Sequence, residues 1–338
     1  MSEPRLRKAG PDDDEAIAAC IGEAFPGNPK ASVDILRWQY RANPFGATAS
    51  WVWEDEGRIV AHYSAYPMPY LLDGAPTLGA NAVDAAVAPS HQGRRLFIPL
   101  AEALYADCAA KGMPIAVCYA SNPIAMRSVA KAGVQWQPRL RTAVLAVDDA
   151  WLGRRLHVPT AVAGLARRAA FRLGRGRAGD EVPAPPDGVE ALWRRTVDRD
   201  GIANGVDRGE AWWRWRYAQA PLGPYRFFAA GDRAAAVVAV RDDFGGRFGY
   251  LLELLADDAD AARSVLLAAA TIEGLSGLAT IAVDKGPLHR LATAAGLRTV
   301  PQRLEPKAAW YGVVDTTGAH PDRPSRPWHV GWGDMDHL

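Results

Sequence analysis

Hydrophobic positions along the first 150 residues switch between two periods, and each switch marks an element. Residues 5–9 (RLRKA) read as a short strand, and PDDDEAIAACIGEAF follows as a helix. Pro11 suits its start, acids fill its first turn as the helix dipole prefers, and Ile17, Ala18, Ile21 and Phe25 share one face. SVDILRWQY predicts a second helix with Ser32 as N-cap, stopping before Asn43-Pro44. SWVWEDEGRIVAHYSAYP predicts two strands around a tight turn at Asp55-Glu56-Gly57, and NAVDAAVAP another strand ended by Pro89. A polar loop, SHQGRR, leads into the helix LFIPLAEALYADCAAKG. A strand (PIAVCYA), a helix from Asn122 to Lys131 and a final strand pair around RLRTAVLAV complete the unit.

A second unit begins near Gly188, and there the pattern returns. RWQYRANPFG at 37–46 reappears as RWRYAQAPLG at 214–223, an offset of 214 − 37 = 177 residues. Trp, Tyr, Pro and Gly recur in register, followed in both places by an aromatic-rich strand, a turn and an apolar strand, which points to duplication of a whole domain. The expected division is 1–150 for the first unit, 151–187 for a connector, 188–316 for the second unit and 317–338 for a tail. Trp328 and Trp332 predict that the tail docks onto the body.

Composition changes this picture little. The chain has 338 residues, 49% hydrophobic and 23% charged, which suits two globular domains. A formal net charge of +1 gives no global footprint for nucleic acid. The N-terminus lacks the apolar core of a secretory signal and no run of 18 apolar residues occurs, so the expected location is cytoplasmic, with no transmembrane span. Cys20, Cys108 and Cys118 are odd in number and lack metal spacing, which reads as buried, reduced thiols. The exception to even charge is residues 151–179, with seven arginines and no acid. TAVAGLARRAAFRLG within it predicts an amphipathic helix with Arg167, Arg168 and Arg172 on one side. It reads as a connector with a solvated basic face; the same pattern also fits contact with an anionic membrane surface or an acidic carrier protein.

The stretch that carries chemistry is VDAAVAPSHQGRRLFIPLAEALY, 83–105. A strand ending at a proline, a short polar loop and a helix start would aim backbone N–H groups outward, a geometry suited to a pyrophosphate, with Arg94 and Arg95 adding charge. In Val87, Pro89, Gln92 and Gly93, with Leu96 at the helix start, the chain resembles the GNAT superfamily of acyl-CoA N-acyltransferases. Asn122-x-x-Ala125 and Gly133 extend the resemblance, which covers about 5–147. Trp38-x-Tyr40-x-x-x-Pro44, Leu96-Phe97 and Gly333-Asp334-Met335-Asp336 are similar to elements of double-GNAT proteins of bacterial polysaccharide-biosynthesis clusters. The resemblance implies an α/β fold of two tandem GNAT-like domains, each a mostly antiparallel mixed sheet flanked by helices. It also implies acetyl-CoA or another acyl-CoA as co-substrate, held by Val87, Ala88, Gln92, Gly93, Arg94, Arg95, Leu96, Phe97 and Asn122, and a small-molecule amine as acceptor, such as an amino sugar. Departures are Arg95 in place of a glycine, and Val129 where many members carry a tyrosine that protonates the leaving thiolate. A catalytically silent binding module, or an acyltransferase taking its donor from an acyl-carrier protein, are the alternatives. In the second unit Asp257, Asp258 and Asp260 stand where the loop would be, and would repel a pyrophosphate.

Acyl transfer to an amine needs a deprotonated nucleophile, a polarised carbonyl and tight positioning. Asp84 is the candidate base on the central strand, with alternation placing it on the face of Ala82 and Ala86. His62, mid-strand, is the second candidate. Tyr63, Tyr119, Asp334 and Asp336 are candidate substrate contacts, and Trp51 or Trp53 could stack on a sugar ring. No metal motif or nucleophile elbow occurs.

Overall fold

The computed structural model describes residues 4–121, 123–170, 177–305 and 308–335. Its elements run β1 (Arg5–Lys8), α1 (Asp14–Ala24), α2 (Val33–Tyr40), β2 (Ala49–Asp55), β3 (Arg58–Leu72), β4 (Ala75–Val87), α3 (Phe97–Ala110), β5 (Ile115–Ala120), α4 (Pro123–Lys131), β6 (Gln135–Trp136) and β7 (Arg141–Ala146). Then come α5 (Asp149–Leu156), α6 (Thr160–Ala170), β8 (Asp180–Val182), α7 (Val189–Asp200), β9 (Gly205–Val206), α8 (Glu210–Trp213), β10 (Tyr225–Ala229), β11 (Ala234–Asp243), β12 (Gly246–Ala256), α9 (Ala259–Ala269), β13 (Gly277–Ala282), α10 (Pro287–Ala295), β14 (Arg298–Thr299) and β15 (Trp310–Asp315). The hairpin of β3 and β4 is longer than its sequence pattern suggested. At its far end Met68, Tyr70, Leu71 and Leu72 of β3 are buried almost in succession, so no alternation marks that strand.

Two mixed sheets result. Among the described residues the first runs β1-β2-β3-β4-β5-β15-β6, with β9 added beside β3; the second runs β8-β10-β11-β12-β13-β7-β14. The β4–β5 and β12–β13 pairs are parallel, the others antiparallel. Laid side by side the two orders match position for position, with one exchange. The strand at 141–146, expected to complete the first unit, pairs with β13 in the second sheet, while β15 from the end of the chain pairs with β5 in the first. Each unit is closed by a strand from the other.

A large core lies between the sheets and takes α1, α2, α7 and the tryptophans of 212–215. Smaller cores cover the outer faces, under α3 on the first sheet and under α9 and α10 on the second. The repeated motifs meet in the central core. Trp38 and Trp215, equivalent by the 177-residue offset, stack with ring centroids 4.8 Å apart. The tail runs into this core as well, with Trp328, Val330, Trp332 and Met335 buried.

Candidate active site

The first sheet opens where β4 leaves β5. These strands pair only at Ala80–Ala116 and Asn81–Val117, and beyond that point they diverge. The gap is a cleft of about 300 Å³ lined by Tyr63, Asp84, Cys118, Tyr119 and Val129, with Phe25 and Lys30 at its side. Phe25, expected in the core face of α1, ends that helix and turns its exposed ring to the cleft.

Asp84 stands in this cleft because β4 bulges there. Ser64 pairs with Val83 and His62 with Ala86, so Asp84 and Ala85 both lie opposite Tyr63. The bulge puts Asp84 at φ +59°, a left-handed conformation that a short polar side chain tolerates better than most. It also breaks the expected alternation. Val83 and Ala86 join the central core while Ala82 joins the outer one, so Asp84 shares a face with Ala86 but not with Ala82. The Asp84 carboxylate takes the Lys30 ammonium at 2.5 Å on one oxygen and the Tyr40 hydroxyl at 2.5 Å on the other. Both side chains of the ion pair are nearly buried, at 4% and 3% exposed, and only such pairing makes a charge tolerable there.

His62 has a different part from that of a base. It is fully buried and is not among the residues lining the cleft. Its Nδ1 lies 3.1 Å from the Asp84 carbonyl, which can only accept, so Nδ1 carries the proton; Nε2 lies 2.7 Å from the Ser64 hydroxyl. Burial holds its pKa down to about 4, so it is a neutral ring that pins the bulge.

At the end of β4 the loop reaches α3 through two left-handed residues, Gly93 (φ +80°) and Arg95 (φ +60°). The second explains why a glycine is expected at 95: an L-residue there costs on the order of 1 kcal/mol. Gln92, Gly93, Arg94 and Arg95 are exposed, and nothing lies within 4 Å of a Cβ built on Gly93, so no side chain fills the loop's mouth. Leu96 gives α3 no side-chain cap, and among the described residues the N–H groups of 93–98 have no internal acceptor. That cradle of open amides beside two guanidinium groups fits an anionic diphosphate. His91, held 3.0 Å from Asp55, staples the loop to the sheet. Leu96 and Phe97 sit beneath it, where the Leu96 carbonyl accepts from Trp53 and the Phe97 ring packs on Tyr63. The Ala88 N–H is spent on the Val60 carbonyl, and the Val87 carbonyl accepts from Gln92, so neither of those groups is open.

The remaining candidates separate. Tyr63 and Tyr119 line the cleft, and burial pushes both phenols well above their ordinary value. The Tyr63 hydroxyl is 3.1 Å from that of Tyr105; the Tyr119 hydroxyl has no partner among the described residues. Cys118 also lines the cleft, but burial pushes its thiol up to about 12, too high for a thiolate nucleophile. Trp51 and Trp53 pack in the outer core with α3 instead of facing a sugar. Asn122 and Asp336 lie outside the described residues. Asp334 does not reach the cleft. It is buried, with Arg208 at 2.6 Å and the Gly331 N–H at 2.9 Å.

Asp334 marks a second cluster that mirrors the first. Tyr217, 217 − 40 = 177 residues after Tyr40, donates to Glu253 at 2.7 Å, and Arg208 binds the other Glu253 oxygen at 2.8 Å. Glu253 adjoins a bulge of β12 at Leu252, as Asp84 does on β4. Tyrosine, carboxylate and cation thus recur, but the tail covers them. A Cβ on Gly333 would lie 2.2 Å from Glu253 and 2.3 Å from Tyr217, so only glycine lets the chain pass so close. The second loop is closed too: Asp258 caps α9 by accepting from the N–H groups of Asp260 and Ala261, while Asp257 pairs with Arg195. No local pattern assigned Lys30, Tyr40, Arg208 or Glu253 to a site. Tyr40 and Tyr217 were visible as repeat positions, but nothing local tied them to a carboxylate.

Residues 5–129 match the family model described as acetyltransferase (GNAT) domain. Three solved structures share the fold. A GCN5-related N-acetyltransferase from Anabaena variabilis ATCC 29413 is 12% identical with a TM-score of 0.66, over 93% of this chain and 73% of that one. One from Kribbella flavida is 16% identical with a TM-score of 0.64, over 92% and 70%. Eis1 from Mycobacterium abscessus is 17% identical with a TM-score of 0.53, over 91% and 73%. A comparison with curated proteins finds no match.

Proposed function

We propose, from the premise that residues 5–129 of this chain belong to the GNAT family of acetyltransferases, that the protein moves an acetyl group from coenzyme A to a primary amine of a small molecule, such as an amino sugar, in the cleft between β4 and β5. The observation that carries this reading is the coincidence, at one splayed strand pair, of open amides at 93–98 and a buried, ion-paired carboxylate at Asp84. The diphosphate would take the amides with Arg94 and Arg95, and the pantetheine arm would follow β4 into the cleft. The amine nitrogen then attacks the thioester carbon; the C–N bond forms and the C–S bond breaks. Asp84 takes the proton the amine gives up, with Lys30 and Tyr40 fixing its orientation. Tyr119, which lines the cleft with no hydroxyl partner among the described residues, is the proton source for sulfur in place of Val129, although burial makes its phenol a weaker acid than an exposed one. The second unit, with its loop capped and its carboxylate under the tail, supports the fold and binds no coenzyme A.

Calorimetry with coenzyme A and turnover of acetyl-CoA with a panel of amines test this. Asp84→Asn should lower kcat by about a hundredfold or more with coenzyme A affinity unchanged, the scale of a lost general base. Coenzyme A binding without turnover on any amine would leave the silent binding module; no binding at all would end the reading.

A further inference from the structure

Of the large hydrophobic side chains that are exposed among the described residues, Phe25 belongs to the cleft; Leu156 and Leu304 line one cavity, and Val162 and Leu165 sit on the helix packed against the one that carries Leu156. Three of them sit on the hairpin of α5 and α6. These helices pack closely because Gly164 admits the Asp149 carboxylate, where a Cβ would lie 2.7 Å away. On α6 only Ala163 and Gly164 are buried. Helical spacing from them puts Val162, Leu165 (64% exposed), Ala166 and Ala169 on the opposite, outward side, so the solvent face of this helix is its apolar one. Leu304 joins from the other end of the chain, where its carbonyl accepts from Arg155 at 3.2 Å.

The rim of this patch is basic. Arg154, Arg155, Arg298 and Arg303 have no ion-pair partner among the described residues, whereas Arg167 pairs with Asp149 and Arg168 adds its charge beside the same carboxylate. Beside the hairpin a cavity of about 220 Å³ is lined by Trp151, Phe244, Phe248 and Leu304, with Arg155 and Arg298 on its wall. An apolar helix face set among unpaired guanidinium groups, over an apolar slot, is the arrangement of an interfacial helix that lies in the headgroup layer of a bilayer. A second copy of the chain would bring like charges together.

We propose that the α5–α6 hairpin docks this protein on an anionic membrane surface, with Leu165 and its neighbours entering the headgroup boundary and the arginines meeting lipid phosphates. Co-sedimentation with vesicles of phosphatidylcholine, and of equal parts phosphatidylcholine and phosphatidylglycerol, tests it. The protein should bind the acidic vesicles at least about tenfold more tightly, and Leu165→Glu or the pair Arg154→Glu and Arg155→Glu should each lose on the order of tenfold. Leu165 is exposed, so its variant should fold; unchanged calorimetric affinity for coenzyme A, or an unchanged melting curve, checks that. Equal binding to both vesicles, no binding to the acidic ones, or binding indifferent to Leu165→Glu would overturn the proposal. So would a lipid-free dimer in light scattering that Leu165→Glu dissolves.

Discussion

Asp84 and His62 were both candidate bases in the sequence, and their surroundings divide the work between them. The bulge that turns the Asp84 side chain toward Lys30 and Tyr40 turns its carbonyl toward His62. A histidine that must stay neutral while buried costs stability in acid. The unfolded chain takes up a proton near pH 6.5 and the folded one only near 4, so the unfolded state binds more protons across that window. Stability contributed by neutral His62 is therefore full above pH 6.5 and lost as pH falls toward 4, up to about 3 kcal/mol. In His62→Gln the loss measured by urea titration across this range should be smaller than in the parent. An identical pH profile would mean that the ring is not the buried neutral group described here. His329, also buried and held well below its ordinary value, leaves a remainder in both proteins.

At the scale of elements, the loop between β4 and α3 differs from its counterpart between β12 and α9 in one respect that matters. Asp258 satisfies the first-turn amides of α9, and no side chain does so for α3. An uncapped N-terminus costs a helix about 1 kcal/mol, a cost that a bound anion would repay. Arg95 adds strain at φ +60° and charge at the same place. Arg95→Gly should therefore hold or raise the melting temperature while weakening coenzyme A by about tenfold in calorimetry. A variant that binds as tightly as the parent would show the guanidinium to be a bystander.

At the scale of the molecule, the exchange of β7 and β15 makes the two units one body. A piece ending near residue 150 would lack the strand between β5 and β6 and carry β7 with nothing to pair it. Such edges aggregate. Residues 1–150 expressed alone should be insoluble, whereas the full chain should melt in a single transition. A soluble, cooperatively melting fragment would contradict the exchange. The tail contributes to the same unity: Arg216 holds the Gly333 and Met335 carbonyls at 3.2 and 2.8 Å, and Asn81 of β4 reaches the Asp334 carbonyl at 3.4 Å.

Local pattern determined α1 to α4, most strands of the first unit, the repeated motif and the polar loop before α3, because periodicity and glycine or proline placement are properties of neighbouring residues. The loop's match at Pro89, Gln92 and Gly93 could be read for the same reason. Tertiary structure decided what depends on residues far apart in the chain. Lys30 meets Asp84 across 54 residues (84 − 30), Arg208 meets Asp334 across 126, and β15 reaches a strand almost 200 residues earlier. The bulge on β4 belongs with these, since it exists only as a mismatch against β3 and parts Asp84 from Ala82, with which alternation had grouped it. No period in a single segment records which cation a buried carboxylate will find, because the need for that partner arises only when packing has removed the water.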